Sequence, residues 1–338
     1  LVQHLRVRVG DYRDPDTPLK NDKGWTQFSE RDNLKVGGHQ VVVDHCSFSW
    51  STDENAQSVG SELTFRHNIF SEALASPKHH KGKHSKGLIV LNQGEKAGRT
   101  TGQDVAVIGN LFAFVADRTP QIGGGARAAA INNYAYGVTM KPEIGITLAE
   151  HPRHGSITAS LVGNAFEQVK YPLRYVARGP TPGKVYLADF RVIDHEADGV
   201  IVSKVLDDPW HSPRTMMFEN WGREKCNPFE AKVDEPPVIV PGLVIRPSED
   251  VRDWVLVNAG ARPADRGPVD ARVIEQVRTR SGGGIPASQD DLGGWPELAE
   301  NHRDLTVPPN PQGDDDGDGY TNLEEWLHEF AAKVEGRR

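Results

Sequence analysis

Apolar and polar positions alternate from the start of the chain, Leu1-Val2-Gln3-His4-Leu5-Arg6-Val7-Arg8-Val9, a period of two that predicts a strand with one buried face. The signature returns in short runs that share a register: VVVDHCSF at 41–48, LTFRHNIF at 63–70, VAVIGNLF at 105–112, AAINNYAY at 129–136 and ASLVGNAF at 159–166. Each is an apolar or alternating run, then usually an Asn, one further residue and an aromatic. Asn68, Asn110, Asn133 and Asn164 hold the matching place, and Cys46 holds it in the first run. Asn110 and Asn133 are 23 residues apart. Intervals of that size fit the coils of a β-solenoid, in which stacked neighbours bury a face that no single coil can bury alone. A β-sandwich with Asn at its strand ends is the competing architecture. The aligned Asn residues favour the solenoid, with its insertions projecting as loops. A solenoid opening at Leu1 would present an uncovered strand edge, so further coils are expected upstream.

The pattern decays after about residue 200. PPVIVPGLVIRPSEDV at 236–251 is Pro-rich and irregular, and PVDARVIEQVRT at 268–279 predicts one short helix. The expected organisation is a solenoid over 1–200, an extension packed on it over 201–310, and a separate acidic tail over 311–338.

Across 338 residues, 39 Lys and Arg face 47 Asp and Glu, a net charge of −8. That balance argues against nucleic acid as a partner, so any anionic partner must be met locally. No run of about 20 apolar residues is present, so no membrane span is expected. Cys46 and Cys226 allow at most one long-range bridge and no disulfide framework.

Four constellations carry candidate chemistry. Glu30 and Asp32 precede the run that holds Asp44 and His45, and Asp53 and Glu54 follow it. Adjacent coils would crowd these acids, and crowded carboxylates repel unless a cation lies among them. An all-oxygen set points to Ca²⁺; a solvated acidic loop is the plain alternative. KHHKGKHSKG at 78–87 is a local positive patch in an acidic chain, with Lys78, Lys81, Lys83 and His84 suited to gripping an anionic polymer, or else a solvated basic loop. Arg118 stands two residues before Pro120, which stiffens the backbone there; an Arg so held is ordinarily an ion-pair partner. DDDGDGYTNLEE fits a calcium loop place by place, with Asp314, Asp316 and Asp318 at 1, 3 and 5, the Tyr320 carbonyl at 7, Asn322 at 9 and Glu325 at 12. The preceding TVPPNPQG cannot be a helix, so the unit resembles the half EF-hands of dockerin or thrombospondin-type repeats.

DHCSFSWSTDEN, FSEALASPKHHKGKHSKG and the DRTP segment resemble the pectate lyase family, polysaccharide lyase family 1, through roughly residues 1–170. NAGARPADRGPVDARVIEQVR, GGWPEL and the DxDGDG tail resemble the C-terminal region of secreted bacterial members. The resemblance implies a right-handed parallel β-helix, an all-β fold here with an irregular C-terminal extension. It implies a calcium-dependent lyase cleaving polygalacturonate or low-ester pectin by β-elimination, secreted or at the cell surface, and monomeric. Residue by residue it implies Glu30, Asp32, Asp53 and Glu54 as ligands of the active-site Ca²⁺, Arg118 as Brønsted base, and Lys78 or Lys81 as the catalytic-site lysine. Asp44 and His45 are implied to be structural, organising the cleft from beneath. The family's second Arg after RxP is absent, Ile122-Gly123 standing in its place, and Arg127 is the candidate replacement alongside Lys83 and His84 as substrate contacts. The rival readings are a β-helical hydrolase using paired carboxylates on water, a lyase for another uronate, and a carbohydrate-binding solenoid without turnover.

Overall fold

The computed structural model describes residues 1–11, 30–75, 83–96, 98–141, 143–178, 181–196, 198–218, 227–298 and 306–337. Within these, the chain winds as a right-handed parallel β-helix. Each coil contributes one short strand to each of three parallel sheets, then returns one rung further along. Glu54–Ser58, Ser61–Arg66 and Ile69–Ser71 make one coil; Lys86–Leu91, Val105–Ile108 and Leu111–Ala113 make the next. The first, second and third sheets hold seven, seven and eight strands, the eight including an antiparallel return at Ile201–Val205. Strands run on past residue 200 to Thr215–Phe218, so the coiled region is longer than its sequence periodicity indicates.

The sandwich alternative fails on the pairing, which is parallel from coil to coil. The Asn register is the reason the coils stack. Asn68 Nδ2 donates to Asn110 Oδ1 at 2.9 Å, Asn110 to Asn133 at 2.9 Å, and Asn133 to Asn164 at 3.1 Å, all buried at the turn between the second and third sheets. Each Asn oxygen also takes the backbone N–H of the rung before it, Cys46 included. The ladder thus satisfies turn amides that water cannot reach. Two places on, Phe48, Phe70 and Phe112 stack at centroid separations of 5.4 and 5.1 Å inside the coil. Cys46 is a buried free thiol, its pKa pushed up to about 11 by burial; Cys226 lies outside the described residues.

The C-terminal extension covers the outer face of the third sheet. Helix α1 (Ser248–Asn258) and helix α2 (Pro268–Thr279), the latter with the bounds its pattern predicts, seat Val251, Val255, Val273 and Ile274 against Ile69, Leu111, Tyr134 and Tyr136. Helix α3 (Asn322–Glu335) closes the tail and is not a separate unit. Its last residue, Glu335, is buried against Gln3, His4 and His45, and Ala264 N–H bonds to the Val334 carbonyl.

Candidate active site

The corner where the third sheet hands over to the first gathers the charged groups. Leu34 pairs with Ala56, Glu54 with Lys86, and Lys86 bridges to Asp117, so Asp32, Glu54, Lys86 and Asp117 stand on successive rungs, about 4.8 Å apart. Glu54 N–H donates to Asp32 Oδ1 at 3.1 Å, and Asp53 and Thr52 N–H donate to the Arg31 carbonyl. The turn is thereby fixed with Asp53 beside Asp32. Burial and the neighbouring Asp53 push the Asp32 carboxyl up to about 7, with Lys35 and Arg118 opposing. Two carboxylates so close cannot both ionise in low dielectric without a cation between them. His84 is buried with Nε2 2.5 Å from Asp53 Oδ1, and Asp53, Glu54 and His84 present donor atoms within 4.8 Å of one another.

Arg118 reaches this cluster from the rung of Asp117. Its backbone is left-handed (φ 63°) and the following Thr119–Pro120 peptide is cis. Its carbonyl accepts Leu88 N–H at 2.8 Å, an approach that depends on Gly87, where a Cβ would lie 2.4 Å from that oxygen. The guanidinium pairs with Glu54 Oε1, and Nε lies 3.9 Å from Asp117 Oδ1. Burial lowers its pKa from the usual Arg value, Asp53 and Asp32 oppose the shift, and Arg174 adds to it. Lys86 Nζ is held by Asp117 Oδ2 at 2.9 Å.

Several sequence expectations change. Lys78 and Lys81 lie outside the described residues. Lys83 is exposed, and Glu30 is exposed at the rim, bearing on Asp32 through its charge. His84 does not present itself to solvent as a substrate contact, because it is buried against Asp53. Arg127 is not brought to this corner. It opens the next strand of the second sheet, with Nε on Asp104 at 2.7 Å and Nη1 on the Pro237 carbonyl at 2.9 Å. Asp44 and His45 are not beneath the cleft either. Asp44 ends a strand of the second sheet, at the turn before the third, held below the usual carboxylate range at about 2 by His45 and Arg66 against burial.

Asp117 and Arg174 are the members that sequence reasoning passed over, and Lys86 entered it only as one lysine of the basic patch. Each carries a weak signal: Lys86 opens an apolar strand after the basic loop, Asp117 directly precedes Arg118, and Arg174 interrupts the apolar YPLRYV. On the first sheet Gln57, Ile89, Gln121, Thr147 and Arg174 align rung by rung, opposite in pleat to the core residues Ala56, Leu88, Ile122, Leu148 and Tyr175. A largely polar row therefore runs along the outer face of that sheet, past Arg118.

In the tail, Gly317 and Gly319 N–H donate to Asp314, Asp318 N–H to Asp316 and Tyr320 N–H to Asp318, and the three Asp residues hold donor oxygens within 4.8 Å of one another. Glu325 faces them, its pKa raised first by Asp316 and further by Asp318 and Asp314. Asn322, expected at the ninth place of the loop, is hydrogen-bonded within it. Its oxygen accepts Asp315 N–H and its amide donates to the Asn310 carbonyl at 2.9 Å, so it braces the loop.

Against known proteins, no family model matches. The chain is 24% identical over 352 residues to a protein named probable pectate lyase C from Neosartorya fischeri, covering 97% of this chain and 71% of that one. It is equally similar to the protein of that name from Aspergillus fumigatus. Among solved structures, a pectate lyase from Paenibacillus sp. 0602 overlays with a TM-score of 0.44 at 15% identity, over 80% of this chain and 71% of that one. A mutant of the Bacillus subtilis pectate lyase gives 0.39 at 14%, over 69% of this chain and 54% of that one, so the chain spans about half its length.

Proposed function

We propose that this chain is a calcium-dependent pectate lyase, cleaving α-1,4-linked galacturonan by β-elimination. The observation that carries the reading is the convergence of Asp32, Asp53, Glu54 and Arg118 from separate coils onto one corner of the helix. The likeness to proteins named probable pectate lyase C along 97% of the chain supports it.

The donor set fits calcium. Asp32, Asp53 and Glu54 offer oxygen, and burial with the neighbouring Asp53 raises the Asp32 carboxyl, which supports a cation seated among these acids. Calcium bound there would neutralise the uronate carboxylate and so acidify the C5 proton. The protein's own groups supply the rest. Arg118, once Glu54 is engaged by a cation instead of its guanidinium, is a buried base beside Arg174 and can accept the C5 proton in its neutral form. The C5–H electrons become the C4–C5 double bond, the C4–O bond breaks, and the leaving oxygen takes a proton. No water is consumed. Gln57, Gln121 and Arg174, half-buried on rungs of the first sheet, give an extended polymer polar contacts, with Thr147 buried between the last two. A substrate of that size places the enzyme's work outside the cell.

Ultraviolet absorbance of polygalacturonate incubated with the protein tests this. A rise in Ca²⁺ that EDTA abolishes is the expected result. New reducing ends without absorbance would mean hydrolysis, and binding without either would mean a carbohydrate-binding solenoid.

A further inference from the structure

Three groups of described His and carboxylate side chains converge closely enough to share a cation; one belongs to the candidate active site, one to the tail loop, and the third, Asp44, His45 and His67, to neither. It sits at the turn between the second and third sheets. His45 and His67 occupy the same left-handed turn position on successive rungs (φ 47° and 51°), so the coil repeat itself sets the two rings edge to face, centroids 4.7 Å apart.

Two nitrogens of this group, His45 Nδ1 and His67 Nδ1, have no hydrogen-bond partner. His45 Nδ1 lies 2.9 Å from Asp44 Oδ1 and 3.6 Å from Glu335 Oε1, yet is not aligned to donate to either, and His67 Nδ1 is buried without a partner. The His45 side chain is only 3% exposed. Donor atoms that approach this closely without aiming a proton at one another have the arrangement of ligands around a common ion. The surroundings complete it. Gln3 Nε2 donates to both Asp44 Oδ2 (3.1 Å) and Glu335 Oε1 (3.2 Å). His4 accepts Arg262 N–H at Nδ1, so its Nε2 carries the proton, 3.2 Å from Glu335 Oε1. Trp254 packs edge-on against His67, and Gly109 on the next rung leaves it room. Arg66 also holds Asp44 Oδ1, at 3.1 Å. These are the outer partners that orient metal-binding carboxylates and imidazoles. A cavity of about 590 Å³, lined in part by Gln3, Asp44, Arg66 and Arg337, borders the group at Asp44.

We propose that Asp44, His45 and His67, with Glu335 as fourth ligand, form a binding site for a zinc-class divalent ion that clamps helix α3 to the β-helix. Two imidazoles and two carboxylates suit that class, whereas calcium favours oxygen throughout. The site is distinct from the active-site corner, and no step of the proposed elimination passes through it.

The test is titration of the chelator-treated full chain with Zn²⁺, and with Co²⁺ for its visible absorption, in wild type, His67→Gln and the double variant H79Q/H80Q in the basic loop. The expected result is one tight zinc per chain and a tetrahedral cobalt spectrum, both kept in H79Q/H80Q, with affinity weakened about 100-fold or more in His67→Gln. His67→Gln should retain its circular dichroism and its lyase activity, while helix α3 becomes more open to limited proteolysis. Glu335→Gln, at the end of an exposed helix, is the second variant and should weaken zinc likewise. No tight zinc in wild type, or tight zinc that persists in both His67→Gln and Glu335→Gln, would overturn the proposal.

Discussion

Arg118 can act as a base only in its neutral form, and everything around it bears on how much of that form exists. Burial and Arg174 lower its pKa, while Asp53, Asp32 and the pairing with Glu54 favour the charge. The neutral fraction grows with pH, so turnover should climb into the alkaline range. Arg118→Lys should lose about 10²- to 10⁴-fold in kcat while polymer binding holds; unchanged kcat would remove Arg118 from the reaction. Asp32 gives a separate pH signature. Its folded pKa of about 7 lies above its ordinary value, so the cation-free folded protein keeps a proton that the unfolded chain releases. Stability of the cation-free protein should therefore fall as pH rises from about 4 to about 7, and calcium, by taking the proton's place, should remove that fall. Melting temperatures with Ca²⁺ and with EDTA check this. The calcium increment should be larger near about pH 8 than near about pH 5, and this pH-dependent part should vanish in Asp32→Asn. An increment independent of pH would mean that the ion binds elsewhere.

At the scale of the element, the turn is the unit that holds the fold. Asn133 donates to the Val107 carbonyl at 2.8 Å and to Asn164, and accepts from both the backbone and the side chain of Asn110. Asn133→Ala leaves several buried groups unpaired at once, and unpaired buried groups cost about 1–3 kcal/mol each. Urea unfolding should show a loss of about 3 kcal/mol or more, and a loss below about 1 kcal/mol would deny the ladder its role. This ladder was legible in the sequence because every coil repeats the same solution, an apolar strand followed by an Asn. Where around the coil a side chain falls was much less legible. Arg127 follows Arg118 by little more than one strand, but a strand carries the chain from one corner of the coil to another. Arg174 is far off in sequence and returns to the first sheet. The same geometry misled the reading of Asp44 and His45. They precede Asp53 closely, yet the strand Ser47–Ser49 separates the two corners.

For the whole molecule, the irregular C-terminal region, expected as an extension packed on the solenoid, covers one face of it and supplies ion-pair partners. Burying the outer face of the third sheet takes helices α1 and α2, and their charges answer carboxylates planted in that sheet. Arg272 meets Glu72 at 2.6 Å, Arg280 meets Glu167 at 2.6 Å, and Asp270 receives Arg6 and Arg8 from the first coil. Glu72 and Glu167 are buried, so removing their Arg partners, with His195 at 2.6 Å still beside Glu167, breaks buried ion pairs at a cost of about 3–5 kcal/mol each. The tyrosines and leucines beside them would become an open apolar patch on a sheet. A chain ending at residue 247 should consequently fail to accumulate as soluble monomer. A chain ending at residue 297 keeps α1 and α2, loses the calcium loop and α3, and should stay folded with its elimination chemistry intact and a lower melting temperature. Size-exclusion chromatography and thermal melts of the two truncations decide between a β-helix that carries a decoration and one completed by its own C-terminal segment; a soluble, cooperatively melting 1–247 fragment would establish the former.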